Sequence, residues 1–447
     1  MNRKVWLMVF ITTGLLNLCQ AFAKPNILII YTDDQGYGDV SAYRQADIQT
    51  PNIDRIAREG MLFRNMRANC TVCSPSRAAL LTGKYPDRVG VPGVIRTKKE
   101  NSWGFLDTGV TTLADELKKC GYHTAIIGKW HLGLESPNTP NERGFDLFHG
   151  FLGDMMDDYV THLRDGFNYM RLNEREINPQ GHATEIFSDW AIDYFKSRSE
   201  QSEPFFLYLA YNAPHFPIQP PQQWVDKVRR REKNVTEKRL LNIAFVEHLD
   251  HYIGLVLQAL DSTGLAENTI VAFASDNGGC LPYEQNNDPW RDGKQSHYDG
   301  GIRVPFMMRW PGVIKPGSEC DYNGQNFDLF PTCIEAAGGA VPAGLDAVSL
   351  LPLLSGGSIA GQRELYFVRR EGGNRYAGKA YQALIFDGWK LMQNDPFSEL
   401  ELYNLREDPY ETTNLADKNR QKLNLLLGKM RLHIQRAGSV PWQKPQH

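Results

Sequence analysis

Several short polar clusters have residue types and spacing suited to chemistry on an anion. Asp33-Asp34 and Asp276-Asn277 offer only oxygen donors, the ligand chemistry of a hard cation such as calcium or magnesium. Cys73 opens the run Cys73-Ser74-Pro75-Ser76-Arg77. Ser74 can cap a helix, Pro75 suits its first position, Ala78-Ala79-Leu80-Leu81 continues it and Gly83 ends it. This pattern predicts Cys73 at the positive end of a helix, where anions bind, with Arg77 in the first turn and able to reach back. Lys129, His131, His215 and Lys294 supply further cationic or titratable groups. Cys70 and Cys73 also form a C-x-x-C pair. No second cysteine pair or histidine pair stands at zinc-finger spacing, which argues against zinc.

Something must bring these clusters together. Four strongly apolar segments each run directly into polar residues. Ile27–Tyr31 leads to Asp33-Asp34, and Thr124–Ile127 to Lys129 and His131. Phe205–Leu209 leads to His215, and Ile270–Ala274 to Asp276-Asn277. Short unbroken apolar runs suit strands buried on both faces. Helical patterns lie between them: Leu113 to Lys119 with Thr111 as cap and Gly121 as stop, Ala183 to Ser199, and Thr236 to Leu260. Strands alternating with helices predict an α/β fold around a large, mostly parallel sheet. Ligands of such sheets gather beyond the carboxyl ends of the strands, where all four polar clusters fall.

Near residues 340–360 the composition shifts to Pro342, Gly344, Pro352, Gly356 and Gly357. Beyond lie short strand patterns at Glu364 to Arg370, Ala380 to Phe386 and Trp389 to Gln393, then a helical one at Asn414 to Ala437. The expected organisation is a catalytic α/β domain over 24–355 and a smaller C-terminal α+β subdomain over 356–447, built on a short antiparallel sheet. Residues 1–23 read as a signal peptide. Arg3 and Lys4 precede an apolar run from Val5 to Leu18, and Ala21-Phe22-Ala23 has the form of a cleavage site. The run is shorter than a bilayer span needs, and no other stretch reads as transmembrane. An exported chain, periplasmic or secreted, is the expectation.

With 447 residues, 42% hydrophobic and 23% charged, the chain has the make-up of a globular protein. Its formal charge of −3 gives no reason to expect nucleic-acid binding. An anionic substrate must be held by local cations. Asp154, Asp157, Asp158, His162 and Arg164, in a loop-like region after Gly150, could read such a substrate. So could Tyr283, Glu284, Trp290 and Arg291. Asn234-Val235-Thr236 is a glycosylation sequon.

Cys73-Ser74-Pro75-Ser76-Arg77 resembles the Cys-x-Pro-Ser-Arg signature of the formylglycine-dependent sulfatases, and Gly121–Gly133 is similar to their second signature. Asp33-Asp34, Asp276-Asn277-Gly278, Gly301-Ile302-Arg303-Val304-Pro305, Leu402–Leu405, Asp408-Pro409, Glu411 and Asn414-Leu415 extend the resemblance in family order. Asp299 departs from it, standing where many members carry Glu.

The resemblance implies an alkaline-phosphatase-like fold and hydrolysis of a sulfate ester, on a carbohydrate such as a glycosaminoglycan, mucin or algal polysaccharide fragment. A galactose or N-acetylgalactosamine sulfate is the first expectation. It implies that a formylglycine-generating or anaerobic sulfatase-maturating enzyme converts Cys73 to formylglycine (3-oxoalanine), whose hydrated diol attacks sulfur through a covalent sulfo-enzyme intermediate. Of the six cysteines beyond residue 23, five would then remain. It further implies one calcium ion, with magnesium as the weaker alternative, held by Asp33, Asp34, residue 73, Asp276 and Asn277. Arg77 and Lys129 would steady the nucleophile, His131 would take the diol proton, and His215 and Lys294 would bind sulfate oxygens and protonate the leaving alkoxide. Lys129, His215, Lys294, Asp154 and Arg291 form the expected substrate-binding set. Two other functions stay open: a phosphomonoester or phosphonate-ester hydrolase of the same fold, and an unmodified, non-catalytic binder of sulfated glycans.

Overall fold

A computed structural model describes residues 24–43, 47–98, 102, 104–371, 380–395, 397–438 and 440. The expected signal peptide lies outside the described residues. The four apolar runs are strands at the centre of a ten-stranded mixed sheet. They are β1 (Asn26–Thr32), β2 (His123–Lys129), β4 (Phe205–Ala210) and β5 (Thr269–Ser275), joined by β3 (Leu147–Phe151). Their spatial order is β3-β2-β4-β1-β5, all parallel. Only the flanks depart from the expected parallel arrangement. Phe306–Arg309 pairs antiparallel with β5, and Met170–Leu172 pairs antiparallel with β3.

The reason β1 is apolar throughout is visible in its two faces. Ile27, Ile29 and Tyr31 pack with Ala78, Leu80 and Leu81 of helix α1 (Cys73–Thr82) and with Leu113 and Leu117 of α2 (Leu113–Lys119). Leu28 and Ile30 pack with Phe187 and Phe195 of α3 (Ala183–Arg198) and with Ile253 and Leu257 of α4 (Glu237–Ser262). Each apolar side chain removed from water contributes about 1.5–3 kcal/mol. Helix α4 is long and apolar enough to cross a membrane by composition. It instead serves as a core helix, with 72% of its apolar window buried in the protein.

One expected cap and one expected helix start each shift by one residue. The α2 cap is Thr112, whose hydroxyl accepts from Asp115 N while Asp115 accepts from Thr112 N. Thr236, the last sequon residue, caps α4 and starts it.

The C-terminal region forms the expected antiparallel sheet: β6 (Leu365–Arg370), β7 (Ala380–Phe386), β8 (Trp389–Gln393) and β9 (Glu401–Asn404). Its helix, α5, is shorter than expected, Arg420–Ala437, because Asn419 provides the cap. Tyr366, Val368 and Leu391 pack on Leu423, Leu426 and Met430 of α5 and also on Ala79 of α1. The other face, through Phe367, Ile385 and Tyr403, packs on Tyr298 and Ile302. A buried ionic cluster joins the two regions. Asp299 accepts from Arg67, Arg303 and Lys390, and Lys390 also pairs with Glu411 at 2.6 Å. Asp299 thus ties the segment after Lys294 to the C-terminal sheet.

Two buried histidines make the fold sensitive to acid. Burial, with Lys390 and Arg369 nearby, pushes His297 down to about 3. Burial holds His182 at about 4. Both are neutral in the folded protein and regain the ordinary value of 6.5 on unfolding. At these two sites the unfolded chain takes up protons first as the pH falls below 6.5, and their contribution to stability drops from there toward the folded values. We expect the Tm to decline steadily between pH 6.5 and 4 in thermal unfolding, whereas a flat profile over that range would contradict this account.

Candidate active site

The polar clusters converge at the carboxyl ends of β1, β2, β4 and β5. Asp33 and Asp34 follow β1, Lys129 ends β2, His215 lies beyond β4, and Asp276 and Asn277 follow β5. The backbone is bent to present them. Asp34 has φ +64° and His131 φ +62°, a left-handed conformation that costs non-glycine residues energy and clusters at functional sites. Gly128, just before Lys129, is required by close approach: a Cβ there would lie 2.0 Å from the carbonyl of Ala210.

Cys73 is the first residue of α1 rather than the residue before it, and Val72 occupies the cap position without a side-chain bond. Ser74 does not cap, because its hydroxyl accepts from Ile95 N at 3.1 Å. Ser76 bonds instead to the backbone of Cys70, at 3.0 Å to N and 3.1 Å to O. These side chains pin the loops on either side of Cys73. The six described cysteines are all unbridged.

Cys73 Sγ lies 3.2 Å from Asp33 Oδ1, 3.9 Å from Asp34 Oδ1 and 3.8 Å from Lys294 Nζ. Lys129 Nζ is 2.5 Å from Asp33 Oδ2. Arg77 Nη2 stands 2.8 Å from Asp276 Oδ2 and 3.7 Å from Asp33. Lys294 Nζ donates to Asp34 Oδ2 at 2.7 Å and to His215 Nε2 at 3.1 Å. Tyr159 OH donates to the carbonyls of Asn212 and His215, which fixes the His215 loop.

The electrostatics follow from this packing. Burial raises Asp33, but Lys129, His215, Arg77 and Lys294 together overcome it and hold the carboxyl well below the usual range. Asp276 goes the other way: burial and the neighbouring Asp33 push it up to about 7. Burial, Asp276 and Asp33 also raise the Cys73 thiol well above its ordinary value, outweighing Lys294 and Lys129. An unmodified Cys73 is thus a neutral thiol at pH 7, and the thiolate is the reactive form. Burial and the cations Lys129 and Arg77 push His131 well down. His215 is lowered by burial and Lys294.

The donor set fits a hard divalent cation. One ligand atom from each of Asp33, Asp34, Cys73 and His215 lies within 4.8 Å of the others. Asn277 Oδ1 is buried without a hydrogen-bond partner. Asp276 flanks them, its Oδ1 accepting from Asp34 N at 3.1 Å while Oδ2 takes Arg77. Three buried carboxylates and an unpartnered amide oxygen form the oxygen-rich environment that calcium or magnesium prefers, and a dication would relieve their mutual repulsion.

The site opens into a cleft of about 460 Å³, within the range of small-molecule sites and larger than a sulfate group requires. Cys73, His131, His215 and Lys294 line its floor, and Asp154 lines its wall. Arg291 does not line it. Its guanidinium stacks on Tyr298 at 3.7 Å and donates to the Glu411 carbonyl, so it serves the packing of the C-terminal sheet. Arg96, Lys98 and Arg369 line the cleft and were not singled out by sequence reasoning. Arg369 arrives from β6, and nothing in its local sequence points to the cleft. The basic stretch Arg96-Thr97-Lys98-Lys99 was the available signal for the other two.

The Sulfatase family matches residues 25–340. The family described as N-sulphoglucosamine sulphohydrolase, C-terminal, matches residues 289–437. The chain is 33% identical over 384 residues to N-acetylgalactosamine-6-sulfatase of Canis lupus familiaris, covering 81% of this chain and 72% of that protein. It is 34% identical over 366 residues to the Homo sapiens enzyme of the same name, covering 77% and 68%. The crystal structure of Ps i-CgsB in complex with k-i-k-neocarrahexaose superposes with a TM-score of 0.85 and 29% identity, covering 94% of this chain and 95% of that one. The converging strands, the oxygen-rich nest and the seat of Cys73 are thus found in a chain matched along nearly its whole described length: it belongs to the sulfatase family and is a sulfuric ester hydrolase.

Proposed function

We propose that this enzyme hydrolyses a sulfate ester on a galactose- or N-acetylgalactosamine-type sugar, with Cys73 converted to formylglycine and a calcium ion in the carboxylate nest. The observation that carries this reading is the seat of Cys73. It stands at the positive end of α1, 3.2 Å from Asp33 and 3.8 Å from Lys294, on the floor of a sugar-sized cleft. A neutral thiol there makes a poor nucleophile, which favours its replacement. The hydrated aldehyde would supply one hydroxyl to attack sulfur and a second to expel sulfate, and the dication would supply Lewis acidity.

Asp33, Asp34, Asp276 and Asn277 would hold the ion. Lys129 and Arg77, both fully buried, neutralise Asp33 and Asp276 and fix their orientation. His131 Nε2 donates to the Ile95 carbonyl at 2.8 Å, which leaves the Nδ1 lone pair without a partner. Its lowered pKa keeps that lone pair available at neutral pH, so Nδ1 is the base that takes the nucleophile's proton. His215 Nδ1 donates to the Phe216 carbonyl at 2.6 Å, so its Nε2 accepts from Lys294. Lys294 is held charged by Asp34 and is the proton store for the departing alkoxide. It also presents its charge to the sulfate oxygens. The names of the curated relatives and the oligosaccharide bound by Ps i-CgsB support the sugar class. Maturation would fall to a formylglycine-generating or anaerobic sulfatase-maturating enzyme, and the basic-then-apolar residues 1–23 support export to the periplasm or beyond.

The test is turnover of matched aryl sulfate, phosphate and phosphonate esters by the modified enzyme, followed by release of free sulfate from N-acetylgalactosamine 6-sulfate and galactose sulfates. Sulfate esters should be preferred. A preference for phosphonate by orders of magnitude would refute the reading. Chelation gives a separate readout. Stripping divalent ions should abolish turnover and lower the Tm. Calcium at a hundred times its Kd should restore about 2.7 kcal/mol of stability. A Tm indifferent to calcium would refute the nest as a metal site.

A further inference from the structure

Beside the cleft stands a hairpin that the chemistry at sulfur does not use. Leu163–Arg164 pairs antiparallel with Phe167–Asn168. The turn residues Asp165 and Gly166 have φ +49° and +82°, as a two-residue hairpin turn of the primed type requires. Arg164 is directly opposite Phe167 in register, and directly opposed side chains leave a ribbon on the same face. Arg164 lines the cleft. Phe167 therefore shares the hairpin face of Arg164, just beyond the residues that line the cleft, and is 65% exposed. A large ring left in water costs free energy that stacking against a ligand would recover.

The hairpin is held rigidly. Arg164 Nε donates to Asp154 Oδ1 at 2.9 Å and Nη1 to Asp157 Oδ1 at 2.7 Å. Asp157 Oδ2 accepts from Asp165 N at 2.6 Å. Lys98, which also lines the cleft, holds the turn with its Nζ 3.3 Å from Asp165 Oδ1. A guanidinium has five N–H donors, so Arg164 keeps donors for a ligand after satisfying both aspartates.

We propose that this hairpin is the subsite for the sugar ring attached to the sulfated one, so that the preferred substrate is an oligosaccharide. Phe167 stacks on the apolar C–H face of that ring, and Arg164 donates to one of its hydroxyl or carboxylate oxygens. An aromatic ring is suited to this because it offers a rigid apolar face at little entropic cost. The inference rests on the proposed sugar sulfate activity.

The experiment compares N-acetylgalactosamine 6-sulfate with a trisaccharide of chondroitin 6-sulfate bearing that residue at its non-reducing end, using modified full-length enzyme. Galactose 4-sulfate and a sulfated carrageenan oligosaccharide form a parallel pair. The ratio of kcat/KM for oligosaccharide over monosaccharide should favour the oligosaccharide. In Phe167→Ala that ratio should fall about tenfold, mainly through KM, and Phe167→Tyr should restore it. An unchanged ratio in Phe167→Ala, or no oligosaccharide preference in either pair, overturns the subsite while leaving sulfate ester hydrolysis intact. Absence of aryl sulfate turnover in the modified wild-type enzyme would instead reject the functional reading itself, and the subsite with it.

Discussion

Cys73→Ser should lose roughly 10⁵-fold or more of sulfate ester turnover, the scale seen when an enzymatic nucleophile is removed. Serine brings a single hydroxyl to the N-terminus of α1. That hydroxyl could be sulfated once, but it lacks a second hydroxyl to expel the sulfate. At most one equivalent of alcohol product per enzyme should appear, with no steady state behind it. The fold should survive. Serine is close to cysteine in size, and Asp33 and Lys294 remain to bond it. Cys73 is fully buried, so the expected change in stability is a small one of about 1 kcal/mol. Sustained turnover by a correctly folded Cys73→Ser protein would refute Cys73 as the source of the nucleophile.

Lys129→Ala should be the most damaging change that leaves Cys73 in place. Lys129 and Asp33 are both wholly buried and stand 2.5 Å apart. Removing one partner of a buried pair strands the other charge, at a cost of about 3–5 kcal/mol. Asp33 would lose one of the cations that hold its pKa down and would take up a proton more readily. A protonated Asp33 is a poorer ligand for a cation. Turnover should fall by roughly 10²–10³-fold, the scale of losing one preorganised charge at a reaction centre. The variant should also need more calcium for a given Tm, because the ion must displace the proton that Asp33 then holds more readily. Equal calcium dependence in wild type and variant would contradict this coupling.

Much of this site was legible in the sequence because its residues sit at the ends of conspicuous apolar runs. A strand buried on both faces must be apolar throughout, so Ile27–Tyr31 and Ile270–Ala274 announce themselves, and the polar pairs after them are equally plain. Local competition was less legible. Ser74 has the chemistry of a cap, yet its hydroxyl is taken by Ile95 N from a loop that the sequence cannot place. Thr111 and Thr112 are equally good caps by type, and the position of Asp115 three residues on decided for Thr112. The antiparallel flanks of the sheet were hidden because those strands are only two to four residues long. Strand β9 has no strand signature in the sequence, its apolar pair Leu402-Tyr403 being too short for periodicity to register. The residues that line the cleft were the hardest to read. Asp154 and Arg164 reach the cleft as a pair, Arg369 enters it from the C-terminal sheet, and Arg291 turns away to stack on Tyr298. Such outcomes depend on tertiary packing, which carries no local signature.

Residue 73, once oxidised, is the group proposed to cleave sulfate esters. The most direct measurement prepares the enzyme at several extents of modification, by varying the amount of co-produced maturating enzyme. Aldehyde at residue 73 is quantified by mass spectrometry of its peptide, and free sulfate release is measured on the same samples. Turnover should be proportional to the aldehyde fraction, passing through zero for the pure thiol. Sulfate release that is independent of that fraction would contradict it.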